Sequence, residues 1–225
     1  MLVEKFQYPK LKRIQTDAGR KYSADGLAAT AVPSVTTILS ETGDKSALLE
    51  WRKRVGEQEA NRISKESAGL GTKVHNALEK YALGEEWDCF GTNIVSKLAE
   101  SMTHSMINTG FDKVDELWGV EVGLIAEGVY AGTADAIGIH DGKQSIIDFK
   151  TAKKIKKREW ITDYFLQGAA YMMAHDEMFG TNIERIAILM VDRDSKFAEF
   201  VVEGSELDYY KDLWGQRVMD YYDKQ

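Results

Sequence analysis

Alternating apolar and polar positions predict β-strands in the second half of the chain, with side chains divided between two faces. Strands are predicted over residues 120–126, 129–139, 145–149, 185–191 and 197–202. The first three follow one another closely, which predicts an antiparallel meander. The last two are predicted to pair as a second hairpin.

Apolar residues that recur every three or four positions predict helices elsewhere in the chain. They cover residues 46–67, 72–83, 92–108, 159–179 and 205 onwards, with a short helix after Pro33 that Ser34 or Thr36 would cap. The glycines at 69 and 71 are predicted to separate the first two helices, and Thr72 to open the second. Towards the N-terminus only residues 20–22 suggest a short strand. This order of elements predicts an α/β fold with a mixed sheet.

The strand pair at residues 132–150 carries the most distinctive polar side chains. Residues 141–142, Asp-Gly, predict a tight hairpin turn between the two strands. Asp135 lies early on the first strand, and Asp148 and Lys150 end the second on one common face. Two carboxylates and an ammonium in one patch are costly to desolvate unless something offsets the repulsion between the carboxylates.

A divalent cation such as Mg²⁺ would offset that repulsion, because it binds carboxylate oxygens and keeps water ligands for a substrate. A lysine beside the metal could orient or deprotonate a water, or hold the phosphate that the water attacks. This is the chemistry of phosphodiester hydrolysis. The alternative is a solvated hairpin whose Asp and Lys residues pair at the surface, which contributes little to stability.

Two pairs of side chains four residues apart each share one helix face. His75 with Glu79 is consistent with a metal or phosphate role, and equally with an ordinary packed histidine. Gln167 with Tyr171 forms the second pair, and Gln167 alone could be a surface or core amide. The hydroxyl of Ser34 at a helix start could contact phosphate, although capping is the simpler interpretation.

Composition excludes several classes of function. The sequence is 44% hydrophobic and 10% aromatic, as in ordinary globular proteins, and it has no run of about 18 apolar residues that would span a membrane. Cys89 is the only cysteine, which excludes an internal disulfide, a four-cysteine zinc site and a cysteine-ligated iron–sulfur cluster. The first residues do not resemble a secretion signal, so a cytoplasmic location in a bacterium or a phage-infected cell is expected.

The net charge of −7 argues against a nucleic-acid partner until its distribution is considered. Residues 1–73 carry +4, residues 74–158 carry −3 and residues 159–225 carry −8. Five cations in six positions follow shortly after Lys150, namely Lys153, Lys154, Lys156, Lys157 and Arg158. Such a run is commonly just a solvated surface, but its position beside the hairpin favours contact with a phosphate backbone.

Five short stretches, taken in order, resemble a known family. They are Pro33-Ser34-Val35-Thr36-Thr37-Ile38-Leu39, Gly71-Thr72-Lys73-Val74-His75, Gly132-Thr133-Ala134-Asp135, Asp148-Phe149-Lys150-Thr151 and Gln167-Gly168-Ala169-Ala170-Tyr171. In this order they resemble the RecB-type branch of the PD-(D/E)XK nucleases, most closely the mitochondrial genome maintenance exonucleases with their phage and bacterial relatives. Asp148 stands where many members of the superfamily carry Glu.

The resemblance implies a role for each matching position. His75, Asp135 and Asp148 would be metal ligands, joined by the Phe149 carbonyl. Lys150 would position or activate the attacking water.

Further residues would support these. Gln167 and Tyr171 would hold Lys150 and contact DNA near the site, Glu79 would line the same pocket, and Glu121 would lie behind the ligands. Contacts with the DNA backbone would come from a larger set, Ser34, Thr36, Thr151, Lys153, Lys154, Lys156, Lys157 and Arg158.

The resemblance also implies a restriction-endonuclease-like core, with a mixed sheet of about five strands flanked by helices. One domain would span residues 1–225. Its helical part, residues 34–118, would form a wall or arch over the site. Residues 119–204 would form the catalytic sheet core, and residues 205–225 the C-terminal helix.

The implied activity is that of a Mg²⁺- or Mn²⁺-dependent DNA exonuclease without an iron–sulfur cluster. It would act on single strands or DNA ends, in replication, recombination, repair or phage DNA metabolism, beside a recombination or replication protein. An imidazole ligand favours Mn²⁺, and Trp51, Tyr81 or Trp87 would be available to stack on bases. The alternatives are a flap or junction endonuclease of the same fold, an inactive DNA-binding subunit, and a structural protein with solvated carboxylates.

Overall fold

A mixed sheet of five strands, with helices on both faces, forms the centre of the molecule. The computed structural model describes residues 2–17, 19–26, 28–88 and 90–224. The predicted α/β fold is therefore confirmed. Cys89, on which the expected lack of a disulfide and of an iron–sulfur cluster rests, lies outside these residues.

The N-terminal part forms a small antiparallel sheet of its own. It consists of β1 (Lys12–Thr16), β2 (Gly19–Ser23) and β3 (Val32–Pro33), of which the sequence predicted only the middle of β2. These strands are short and largely polar, so apolar alternation gives little signal for them.

Within the described residues, six α-helices accompany the strands. They are α1 (Val35–Thr42), α2 (Ser46–Val55), α3 (Glu57–Leu83), α4 (Ile94–Ser105), α5 (Thr162–Phe179) and α6 (Ser205–Tyr222). Short 3₁₀ or π turns lie at residues 28–30, 106–113 and 158–160.

The predicted boundary between the second and third helices is wrong. The chain breaks at Gly56, whose φ of +85° is open to glycine and strained for other residues, and then continues as one helix of 27 residues. Gly69 and Gly71 lie inside α3, and the Thr72 hydroxyl donates back to the Ala68 carbonyl (3.0 Å) instead of starting a helix. A Cβ at Gly71 would come 3.2 Å from the Thr151 hydroxyl, so this glycine serves close packing.

The central sheet has the spatial order β4 (Val114–Ala126), β5 (Tyr130–His140), β6 (Lys143–Ala152), β7 (Arg185–Asp192) and β8 (Phe197–Glu203). β4 to β6 form the predicted antiparallel meander, β6 and β7 run parallel, and β7 and β8 are antiparallel. All five predicted strands are confirmed. β4 starts at Val114, which places its first residues in the stretch expected to be helical.

The two faces of the sheet bury two separate hydrophobic cores. Ile146 and Ile188 point towards α1, α5 and α6, whereas Ile147 and Leu189 point towards α3 and α4. This division follows from the alternation of side chains along β6 and β7. Each fully buried Ile contributes about 1.5–3 kcal/mol, so the middle of the sheet is a rigid base for polar residues at its edge.

The N-terminal segment covers β4, which is one edge of the central sheet. The Val3 amide donates to the Leu117 carbonyl at 2.7 Å, and the ammonium of Lys5 lies 4.1 Å from the centre of the Trp118 ring. An uncovered edge invites pairing with other chains. The segment therefore protects the sheet as well as extending the core.

Residues 46–69, which we call the arm, are largely exposed. None of the residues of α2 is buried, and between residues 61 and 69 only Ile63 is even partly buried. Among the residues that the structure describes, no helix combines the length and apolar character needed to cross a lipid bilayer.

Candidate active site

A tight turn joins the two strands that carry the predicted acidic residues. Asp141 and Gly142 both have positive φ, +51° and +75°, as the twist of a two-residue hairpin requires. On β5, the Asp135 Oδ2 accepts a hydrogen bond from the backbone N–H of Phe149 on β6 (2.8 Å). The carboxylate of Asp135 is thereby fixed against the neighbouring strand.

Asp148 and Lys150 form a buried pair at the end of β6. Asp148 is 1% exposed, and the Lys150 Nζ lies 2.5 Å from its Oδ2. Burial and the nearby Asp135 raise the pKa of Asp148 to about 6, although the Lys150 ammonium opposes the shift. As alternation predicts, Phe149 points to the other face, where its ring stacks on Phe111.

His75 reaches the same place from the middle of α3. Its Nδ1 lies 3.6 Å from the Asp135 Oδ1, which is beyond hydrogen-bond distance but close enough for strong electrostatic attraction. Burial alone would lower the pKa of His75, and the carboxylate of Asp135 outweighs burial and raises it. Burial likewise opposes the ionised form of Asp135, but His75 and Lys150 keep its pKa below the ordinary value.

Glu121 belongs to this cluster more directly than the sequence predicted. Its neighbours Val120 and Val122 pair with Ala136 and Ala134, so Glu121 lies across from Asp135. One ligand atom each from His75, Glu121 and Asp135 lie within 4.8 Å of one another. The register of two predicted strands was the signal that could have revealed this contact.

The conformation of Glu121 is strained. Its φ is +50°, unusual for a residue with a side chain, although it lies within a strand. Desolvation of its carboxyl group, together with the charges of Asp135 and Glu79, raises its pKa to about 7. The rest of the side chain is exposed at the rim of the site, where solvent weakens the repulsion between the acids. Glu79 lies one helical turn beyond His75 and faces the same group of acids.

A chain of hydrogen bonds holds Lys150 from the side of α5. The Lys150 Nζ donates to the Gln167 Oε1 (3.2 Å), and the Gln167 Nε2 donates to the Tyr171 hydroxyl (3.3 Å). Burial raises the pKa of Tyr171, so it remains a neutral phenol. A Cβ at Gly132 would come 2.7 Å from the Tyr171 ring, so only glycine allows α5 this close to β5.

A cavity of about 230 Å³ opens beside this chain. It is lined by Arg20, Tyr22, Ser34, Val35, Thr36, Glu121, Gly132, Thr133, Gln167 and Tyr171. The Arg20 Nε is buried and has no hydrogen-bond partner among the described residues. The sequence did not reveal Arg20, because nothing in it showed that β2 lies beside the hairpin. A larger cavity, about 540 Å³, lies between Tyr22 and Met178, away from the acidic cluster.

The three hydroxyl residues predicted to contact DNA differ in how exposed they are. Ser34 is buried and caps α1, where its Oγ accepts from the Thr37 amide at 3.0 Å. Thr36 is exposed next to it, and the two hydroxyls are 3.0 Å apart. Thr151 is half-buried where Gly71 of α3 passes over β6.

The cations of the basic run differ in their partners. Lys154 pairs with Asp194, and Arg158 pairs with Glu206 and also donates to the Val201 carbonyl. The other members are Lys153, Lys156 and Lys157. Lys153 is exposed, and in the described part of the chain it makes no ion pair.

Two of the aromatic residues predicted to stack on bases, Tyr81 and Trp87, contact other rings of the protein. Tyr81 makes edge contacts with Trp87 and Phe111, and Trp87 also contacts His104. Both rings adjoin the core beneath α3 and α4. Trp51 on α2 is half-buried.

Comparisons with known proteins give a similarity of fold only. No protein-family model and no curated protein matches the sequence. Among solved structures, the chain is similar to a candidate exonuclease from Eubacterium rectale, with 13% identity and a TM-score of 0.48, over 69% of this chain and 65% of that one. It is also similar to a phage-related exonuclease from Haemophilus somnus, with 15% identity and a TM-score of 0.38, over 86% of this chain and 94% of that one.

The chain thus spans slightly less than two thirds of the length of the first protein. Similarity at this level does not identify an activity, so the function of this chain has to rest on the geometry of its own site.

Proposed function

We propose that the protein is a metal-dependent deoxyribonuclease that hydrolyses phosphodiester bonds, as an exonuclease on single-stranded DNA or DNA ends. Its role would lie in DNA replication, recombination, repair or phage DNA metabolism. The observation that carries this proposal is the convergence of His75, Glu121 and Asp135 beside the buried pair of Asp148 and Lys150.

The donor set fits a hard divalent ion. Three residues offer an imidazole nitrogen and carboxylate oxygens within 4.8 Å of one another, and both oxygens of Asp148 are buried without a hydrogen bond of good geometry. Mg²⁺ and Mn²⁺ take oxygen ligands, and an imidazole favours Mn²⁺. His75, Asp135 and Asp148 would hold the ion, with Glu121 as a further ligand and the Phe149 carbonyl as the predicted backbone ligand. A bound ion would supply Lewis-acid polarisation of the phosphate and a water of lowered pKa.

The protein's own groups would position and neutralise the phosphate. Lys150, held between Asp148 and Gln167, would place its ammonium against a phosphate oxygen on which negative charge increases. Gln167 and Tyr171 would fix the position of that ammonium through their hydrogen bonds. Arg20 lines the cavity beside them, and its guanidinium would supply a second contact with a phosphate oxygen.

The test is release of label from single-stranded DNA labelled at the 5′ or the 3′ end, with Mg²⁺, Mn²⁺ or EDTA. We expect metal-dependent hydrolysis, lowered about 100- to 1000-fold in Lys150→Ala, because a charge-stabilising group is removed from the site. Lys97→Ala, at an exposed lysine of α4, is the matched control and should retain full activity.

The same assay separates the alternatives. Cleavage of circular single-stranded DNA would indicate an endonuclease, since an exonuclease leaves a circle intact. DNA binding without cleavage under any metal would indicate an inactive binding subunit. If the protein neither binds nor cleaves DNA, the proposal is contradicted and a structural protein is favoured.

A further inference from the structure

One tryptophan is exposed close to the candidate active site. Trp160 ends the short 3₁₀ turn at residues 158–160, between β6 and α5, and is 66% exposed. The other four tryptophans of the chain are buried or half-buried. A single exposed apolar residue is common in soluble proteins and carries no function by itself.

The surroundings of Trp160 distinguish it from an ordinary exposed residue. The Lys157 Nζ lies 5.3 Å from the centre of its ring, and the neighbouring Lys156 donates to the Tyr164 hydroxyl at 2.6 Å. Two ammonium groups lie near the Tyr164 ring. The Lys156 Nζ is 4.9 Å from the ring centre, and the Lys150 Nζ is 5.0 Å from it. Ring–ammonium contacts therefore join Lys157 to Trp160 and, through Tyr164, join the adjacent Lys156 to Lys150.

The ammonium groups of Lys156 and Lys157 are available to a negatively charged partner. Lys156 donates to the Tyr164 hydroxyl, not to a carboxylate. Lys157 pairs with Glu159 at 3.8 Å, and both side chains are more than 60% exposed, so this ion pair contributes little to stability. With Lys153, these residues form a cationic patch on a protein whose net charge is −7.

We propose that Trp160 is a stacking surface for an unpaired nucleobase of a single DNA strand, whose phosphates lie on Lys153, Lys156 and Lys157. A positively charged groove combined with an exposed aromatic ring is the arrangement that binds single strands without sequence preference. Bases inside an intact duplex are already stacked on each other, so their faces are not available to Trp160. The inference rests on the proposed function, because the strand that occupies Trp160 is the one presented to Lys150.

The experiment measures binding of a fluorescent single-stranded oligonucleotide in EDTA, so that no cleavage occurs. We expect Trp160→Ala to weaken binding about tenfold and Trp160→Phe to retain most of the affinity, since loss of one base–aromatic stack has an effect of this size. Tyr209→Ala removes an aromatic ring of similar exposure on α6 and should leave binding unchanged.

An abasic oligonucleotide of the same length separates stacking from charge. It carries the same phosphates without bases, so Trp160→Ala should bind it as well as the unmodified protein does. Lys157→Ala should weaken binding to both oligonucleotides and lower the dependence of affinity on salt. A second readout, quenching of 2-aminopurine fluorescence in the oligonucleotide, should be present in the unmodified protein and absent in Trp160→Leu.

Equal losses on the abasic and the natural strand would overturn the proposal, as would full affinity in Trp160→Ala or no binding by the unmodified protein. Because binding is measured without metal, the result is independent of cleavage. A protein that binds through Trp160 but never cleaves DNA would contradict the proposed nuclease activity and leave this inference standing.

Discussion

Glu121 is the residue at which local preference and site geometry conflict most. Its φ of +50° is costly for a side-chain-bearing residue, and it faces Asp135 across the strand pair. Like charges directly opposite each other on neighbouring strands are destabilising. Strain of this kind persists where the surrounding structure enforces it, and it is concentrated at functional sites.

Replacing this acid should therefore stabilise the protein without metal and weaken its response to metal. At about pH 8, above its pKa of about 7, Glu121 is ionised and repels Asp135. We expect Glu121→Gln to raise the melting temperature without metal by about 2–4 °C, corresponding to ~1 kcal/mol for a chain of this size. The further rise on addition of Mn²⁺ should be smaller than in the unmodified protein.

Glu127→Gln, in the exposed turn between β4 and β5, is the control and should change neither value. An unchanged response to Mn²⁺ in Glu121→Gln would show that this carboxylate does not take part in metal binding. A lower melting temperature without metal would contradict the repulsion argument.

The elements around the site depend on close approaches that small residues permit. α5 brings Gln167 and Tyr171 to Lys150 only because Gly132 leaves room for the phenol ring. The hydrogen bonds from Lys150 to Tyr171 therefore depend on the close packing of α5 against β5 as well as on the residues that form them.

Gly132→Ala should displace this helix and disconnect the chain. The new Cβ would lie 2.7 Å from the Tyr171 ring, so we expect a loss of about 1–3 kcal/mol in the free energy of unfolding from overpacking. Urea denaturation measures that loss, and the cleavage assay should show lower kcat at similar KM. Gly215→Ala in α6 meets no atom within 4 Å and should leave activity intact and stability equal or higher by ~0.5–1 kcal/mol. Full activity in Gly132→Ala would show that the approach is not needed.

Sequence patterns predicted those elements whose side chains carry a clear periodicity. The hairpin of residues 132–150 was predicted because apolar and polar side chains alternate along its strands and an Asp-Gly pair between such strands is typical of a hairpin turn. Gly69 and Gly71 misled the helix prediction, since each costs a helix only about 1 kcal/mol, and at Gly71 close packing against Thr151 of β6 offsets that cost. Arg20 was missed as a member of the site, and Glu121 was predicted only to lie behind the ligands. Their positions depend on contacts between strands that are distant in sequence, or on strand register.

At the scale of the whole molecule, the N-terminal segment is tied to α5 through a buried histidine. The Thr181 hydroxyl donates to Asp176 and lies 2.7 Å from the His175 Nδ1, which must therefore carry the proton. The His175 Nε2 then accepts from the Tyr8 hydroxyl at 3.0 Å. Burial, and to a lesser degree the charge of Lys5, lowers the pKa of His175 to about 4.

This network predicts a stability that depends on pH in a defined window. Between about pH 6.5 and pH 4 the unfolded chain binds a proton on His175 that the folded protein does not bind. Stability should fall as pH decreases through this window, by about 1–3 kcal/mol from this group, and be unaffected by it above pH 6.5. Urea denaturation at several pH values should show a smaller decrease in His175→Gln. His104→Gln, at an exposed histidine of α4, should keep the full decrease. An equal decrease in both variants would assign it to other groups.

The unbroken course of α3 has a mechanical consequence. Its 27 residues span about 40 Å, and they join the exposed arm to His75 without a flexible joint, because Gly69 and Gly71 remain helical. Between the two ends, the Arg193 guanidinium donates a hydrogen bond to the Ser67 hydroxyl (3.1 Å). Leu70, Val74 and Ala77, on the same helix as His75, are buried in the core beneath it. Under the proposed function, a strand that contacts the arm would therefore be linked to the metal site through a rigid element.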